Sequence, residues 1–147
     1  MTRSREQRRV DTLGKFQEIG GDAWVASSGA AGVHLVPLSY AWHSDCVLIA
    51  CEASSLTARN VIAAGSARLA IGPTRDVVMI DATVERTESM SEISNDVAEL
   101  YERQAGWDAR VVPDNVLIYL KPERIQAWRE ADEMKGRTLM LAGAWLP

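Results

Sequence analysis

Long hydrophobic runs are absent from this chain of 147 residues. No stretch approaches the roughly 18–20 uninterrupted apolar residues of a membrane-spanning helix. The strongest runs, Val47-Leu48-Ile49-Ala50-Cys51 and Val77-Val78-Met79-Ile80, are strand-sized. The basic N-terminal stretch lacks an apolar centre and a small-residue cleavage site, so it does not read as a secretory signal. Cysteine is scarce. Cys46 and Cys51 are the only two. Five residues apart in one strand, they point to opposite faces and lie about 16 Å apart, too far for a disulfide. They read as two small buried hydrophobes of a reducing compartment, which predicts a cytoplasmic protein. With only 2 His and no Cys-x-x-Cys spacing, no metal site is expected. Basic charge is not in excess either. The 16 Lys and Arg against 20 Asp and Glu give a net charge of -4, which supplies no field for nucleic acid.

What is present is an ordinary soluble composition, 47% hydrophobic and 24% charged, which excludes a disordered or collagen-like chain. The length fits one domain over residues 1–147. Residues 1–15 form an N-terminal helix or arm, and residues 134–147 an apolar tail that should pack on this chain or another. The oddity is tryptophan, 5 residues against 3 Tyr and 1 Phe. Composition alone does not place them; a barrel would take Trp24 and Trp42 inside, and Trp128 and Trp145 over a cleft or seam.

Strand and turn signals outnumber helical ones. Ala23-Trp24-Val25-Ala26 is a short apolar stretch, and Ser28-Gly29-Ala30-Ala31-Gly32 a turn. Residues 33–42 read as a strand apolar on both faces. That implies burial on both sides, or a core on one side and a ligand or partner on the other. Pro37 cannot donate to a ladder and predicts an edge or bulge. His43-Ser44-Asp45 turns the chain into a strand over 46–51, as a hairpin. Ser54 or Ser55 caps a helix over Leu56–Ala64 that Gly65 ends. Strands follow over 67–71 and 76–85. Ser89-Met90-Ser91-Glu92 matches a capping box for a helix with Val97, Leu100, Tyr101 and Gln104 on one side, ending near Gly106. Residues 115–120 form a strand interrupted by Pro122, and 124–128 continue it or pair beside it. Mainly β order with short links predicts an antiparallel barrel with flanking helices, because closure removes exposed edges.

The chemistry-bearing residues are few. A helix start leaves N–H groups unpaired, and its dipole favours an anion. Ser54, Ser55, Thr57 and Arg59 cluster at such a start, and together they could hold a terminal phosphate. The same residues also describe an ordinary capped helix with a solvated Arg59. Arg75 is a second phosphate contact, or simply flanks a turn with Asp76. His34 and His43 show no nucleophile or orienter to complete a triad. No Walker, G-x-S-x-G, H-E-x-x-H or G-x-G-x-x-G pattern occurs. No catalytic residue is assigned. What remains is chemistry carried mostly by a cofactor, in which the protein binds, orients and tunes.

HLVPLSYAW, then CVLIAC, SSLTARNV, AGSARLAIG and TRDVVMIDATVE, together resemble the pyridoxamine 5'-phosphate oxidase-like, or flavin reductase-like, split barrels. The likeness covers about residues 20–130. It implies a six-stranded antiparallel split barrel of the FMN-binding type, in a homodimer whose interface holds FMN or the deazaflavin F420. By this resemblance Val36, Pro37, Leu38 and Ser39 line the ring. Ser55, Thr57, Ala58, Arg59 and Asn60 face the phosphate end, with Arg75 as a further contact, and Trp128 comes from the partner subunit. Many relatives carry Lys two residues before the Arg, where this chain has Thr57. The implied function is an oxidoreductase passing a hydride between FMN or F420 and a small organic molecule. The alternative is a non-catalytic carrier of F420, FMN or haem. Neither nucleic acid nor membrane is an expected partner.

Overall fold

The computed structural model describes residues 1–147. Its strands are β1 (Asp22–Gly29), β2 (Gly32–Ser39), β3 (Ala41–His43), β4 (Cys46–Glu52), β5 (Ser66–Ile71), β6 (Val77–Ser89), β7 (Asn115–Trp128), β8 (Thr138–Leu141) and β9 (Ala144–Trp145). The helices are α1 (Arg5–Phe16), α2 (Leu56–Ala64) and α3 (Asn95–Ala105). None of the helices is long and apolar enough to cross a membrane.

All nine strands belong to one antiparallel sheet, ordered β2-β1-β5-β6-β7-β4-β3, with β8 and β9 added beside β7. The two ends of this order, β2 and β3, are one chain segment broken only at Tyr40. That segment pairs with β1 on one side and β4 on the other, so the sheet closes. With 32–43 counted as one stave there are six, which is the split barrel expected from the sequence.

Local chemistry explains the connections. Ser44 and Asp45 adopt φ of 53° and 58°, the left-handed pair that a tight β3–β4 hairpin requires. The Ser55 hydroxyl accepts the Ala58 N–H at the start of α2, and Gly65 ends the helix at φ 71°. The expected capping box at Ser89 does not form. Ser89 instead pairs with Val116 as the last residue of β6, and Ser94 caps α3. The extended ladder competes with the box and wins. Pro37 lies on β2, an end strand of the order, as its missing donor predicts. Pro122 does not break β7. It sits opposite Ala82 at a register shift that absorbs it.

The barrel interior holds Val25, Val47, Ile49, Leu69, Ile80, Ile118 and Leu120, with Ala58 and Val61 of α2 and Phe16 of α1. A second core lies outside, where Ala98, Tyr101 and Ala105 of α3 cover Leu48, Ala50, Leu117 and Tyr119. Strand β4 is therefore buried on both faces, which is why Cys46-Val47-Leu48-Ile49-Ala50 has no polar alternation. Trp42 stacks on Phe16, with ring centroids 4.6 Å apart. Trp24 corrects the other expectation: it points outward and is 52% exposed. Beside it β2 is not buried on both sides, since Val33 and Leu35 are also exposed.

Candidate functional site

The barrel is split where β2 leaves β4. Register between the two staves ends at Ala41 opposite Leu48. Beyond that point β2 turns away to pair with β1, and β4 runs on into α2. Residues 36–39 lie on the diverging strand β2, and residues 55–60 at the start of the helix that follows β4.

On the β2 side, Val36 and Leu38 alternate inward opposite Val25 and Ala23, and both are half-buried. Pro37 lies on the outer face opposite Trp24. The Ser39 hydroxyl accepts the Trp107 indole N–H at 2.6 Å, and its carbonyl accepts the Tyr101 O–H at 3.3 Å. On the α2 side, the first bond within the helix runs from the Arg59 N–H to the Ser55 carbonyl. The Leu56 and Thr57 N–H groups have no protein acceptor. No carboxylate stands in this first turn. Arg59 is exposed and takes part in none of the chain's ion pairs. These open donors and the free guanidinium fit an anionic end group such as a phosphate. The half-buried Val36 and Leu38 fit an apolar ring.

Not every expected residue is free to bind. Ala58 and Thr57 are buried. Asn60 is buried too, and its Nδ2 donates to Ser27 Oγ at 3.3 Å. Its Oδ1 lies 2.3 Å from where a Cβ on Gly29 would stand, so it locks α2 onto β1. Arg75 and Trp128 are at the end of β6 and β7 away from the start of α2. Trp128 pairs with Val77 at the far end of β7, whose near end pairs with Glu52 before α2. Arg75 is exposed and bound to Glu130 at 2.9 Å. Within one protomer neither residue reaches the slit.

Sequence reasoning found the helix α3 but missed its role at the split. Past Leu48 the edge of β4 has no strand partner, and α3 supplies one with side chains. The Tyr101 hydroxyl accepts the Ala50 N–H at 3.2 Å while donating to the Ser39 carbonyl. The Gln104 side-chain amide holds Trp42 on both sides, accepting its N–H at 2.8 Å and donating to its carbonyl at 3.3 Å. Gln104 and Tyr101 lay in the helical stripe, but periodicity says nothing of a strand edge needing partners. Burial pushes the Tyr101 phenol up to about 12, against the pull of the Ser39 hydroxyl. Burial also pushes the Cys51 thiol up, and the Ser55 hydroxyl pulls it partly back. Both groups keep their protons at neutral pH. Two clefts lie elsewhere. One of about 430 Å³ is on the outer face, lined by Ser28, Ser66, Arg68, Asp81 and Thr83 among others. The other, about 400 Å³, opens beside Ser54, Ser89 and Asp114.

No protein-family model matches the sequence, and no curated protein matches it significantly. Solved structures do. An F420 reductase superposes with a TM-score of 0.57 at 13% identity, over 75% of this chain and 92% of its own. A Listeria innocua protein assigned as a pyridoxamine 5'-phosphate oxidase gives 0.60 at 12% identity, over 86% of this chain and 100% of its own. A haem-binding protein from Mycobacterium smegmatis gives 0.65 at 13% identity, over 97% of this chain but 60% of its own. The closed six-stave sheet, its split and these superpositions agree: the chain has a split-barrel fold, shared with these structures.

Proposed function

We propose that this protein is a homodimeric oxidoreductase that binds FMN or F420 in the slit and acts on a small organic molecule. The observation that carries the reading is the unpaired start of α2, with Arg59 free, beyond the point where β2 parts from β4. Arg59 and the Leu56 N–H group would hold the phosphate end. Val36 and Leu38 would lie against the ring and exclude water from one face. The bound cofactor would supply the hydride chemistry. The chain's own part is to orient the ring and to offer donors where negative charge develops. The second wall would come from a second copy of the chain. Its support is the outer sheet face, where Trp24 is 52%, Val33 85% and Leu35 57% exposed around Pro37. Apolar surface clustered in this way favours a partner of the same kind.

A second reading is a carrier of F420, FMN or haem without turnover. One observation favours it: Tyr101 and Cys51, the titratable groups at the slit, both hold their protons, so neither serves as a base at neutral pH. Native mass spectrometry after incubation with FMN, F420 or haem reads ligand, stoichiometry and dimer together. Turnover with a panel of acceptors then separates enzyme from carrier. Arg59→Ala is expected to weaken FMN or F420 binding by about tenfold or more, as for a lost charge-assisted hydrogen bond. Unchanged affinity in that variant overturns the phosphate assignment.

A further inference from the structure

We infer that the cleft of about 430 Å³ on the outer face of the sheet is a binding site for a small aliphatic amine, whose ammonium group pairs with Glu123. The inference is independent of the cofactor reading, because the cleft includes no residue of 36–39 or 55–60. It starts from an irregularity in the β6–β7 ladder. Arg124 pairs with Asp81 and Pro122 with Ala82, so Glu123 between them has no partner and is the extra residue of a bulge. Such a residue re-aims its side chain. Strict alternation would put Glu123 and Arg124 on opposite faces. Instead Pro122 and Ile125 are buried, and Glu123 and Arg124 between them are both half-buried. The exposed Thr83 donates its hydroxyl proton to Glu123 Oε1 at 3.2 Å, which holds the carboxylate on the outer face.

Charge in the cleft is unbalanced. Asp81 takes both nearby guanidiniums, Arg68 Nε at 2.5 Å and Arg124 Nη1 at 3.9 Å. Glu123 takes neither. Its Oε1 receives only the Thr83 hydroxyl, and its Oε2 receives no donor. A half-buried carboxylate without a cation gains from one supplied by a ligand. An ammonium group also brings three donors. The Ser28 and Ser66 hydroxyls line the same cleft, make no hydrogen bond within the chain and can accept from it. Ala26, Ala64 and Val33 supply apolar wall, which suits an aliphatic body. No second charge is called for, since Arg68 is spent on Asp81. The volume lies in the range of about 300–1,000 Å³ usual for small-molecule sites.

The test titrates n-butylamine into the isotope-labelled protein at neutral pH, reading the backbone amide signals of Ser28, Ser66 and Thr83 and the dissociation constant. Saturable shifts are expected at these amides, and none with butyrate. Glu123→Gln keeps the shape of the side chain and removes its charge. It is expected to weaken binding about tenfold or more. Ser66→Phe places a ring beside Thr83, its partner across the β5–β6 ladder, and should block the cleft with Glu123 intact. Glu130→Gln, at an exposed carboxylate paired with Arg75, should bind as the wild type does. Absence of saturable shifts in the wild type overturns the inference. So do the same shifts with butyrate or magnesium ions, wild-type affinity in Glu123→Gln or Ser66→Phe, or an equal loss in Glu130→Gln.

Discussion

Glu133 shows how much one side chain contributes at the scale of a residue. Its carboxylate is 2% exposed and accepts from Arg3 through Nε at 3.0 Å, Nη2 at 2.7 Å and the backbone N–H at 3.1 Å. It also accepts the Arg129 N–H at 2.9 Å. The hydrogen bonds from Arg3 hold the carboxyl down at about 2, against 4.5 for the free group, although burial alone would raise it. A depressed carboxyl stabilises the fold above its unfolded pKa, and the contribution is lost as pH falls from 4.5 toward 2. Thermal melts across that window should show a steep loss of stability, and Glu133→Gln should flatten it. At neutral pH the same variant should cost about 1–3 kcal/mol, since Arg3 loses charge-assisted bonds. Gly29 is the converse case, a residue defined by what it lacks. A Cβ there would meet Asn60 Oδ1 at 2.3 Å, and Asn60 is held by Ser27. Gly29→Ala is expected to destabilise by about 1–3 kcal/mol in urea titration, with α2 displaced from β1.

Among the elements, α3 does the work of a strand. The split leaves peptide groups of β3 and β4 without ladder partners, and unpaired buried peptides are costly. Gln104 copies both bonds of a neighbouring strand on Trp42, and Tyr101 bridges Ala50 to Ser39. The small side chains Ala98 and Ala105 let the helix approach closely enough for those groups to reach. Gln104→Ala should cost about 1–3 kcal/mol, the price of leaving Trp42 unpaired. Hydrogen exchange should speed up at the Trp42 amide, while the amides of β5 and β6 stay protected. Gln104→Glu should behave as the milder variant, since it keeps the acceptor for the Trp42 N–H.

For the whole molecule, the decisive feature is the outer face of β1 and β2. The barrel interior is filled, so the exposed Trp24, Val33 and Leu35 serve no purpose inside one protomer. Their charged neighbours are already paired, Arg68 with Asp81 at 2.5 Å, which leaves the apolar part of the face open to the proposed second copy. Trp24→Glu or Leu35→Asp should convert a dimer to a monomer in light scattering, with the melting temperature of the isolated barrel little changed. A protein that runs as a monomer before substitution overturns the dimer proposal. Loss of cofactor binding together with the dimer would assign the second wall of the slit to the partner.

Much of the fold was written in order and punctuation. Ser55 and Gly65 bound α2, Ser44 and Asp45 form the hairpin, and Pro37 marks the edge strand, because caps, turns and prolines act over a few residues. The apolar run of β4 announced a strand, while its burial on both faces depends on α3 packing outside the barrel. Local signals singled out the start of α2, Ser55, Thr57 and Arg59, whereas 36–39 entered only through the family resemblance. Only the tertiary structure decided what they are to each other. That the 32–43 segment closes the barrel, that Trp24 faces out, that Arg75 binds Glu130 far from α2, and that Tyr101, Gln104 and Trp107 seal the split all depend on contacts between residues tens of positions apart. Periodicity names the buried side of a helix or strand, but the partner of an unpaired peptide is set by long-range closure, which no local pattern carries.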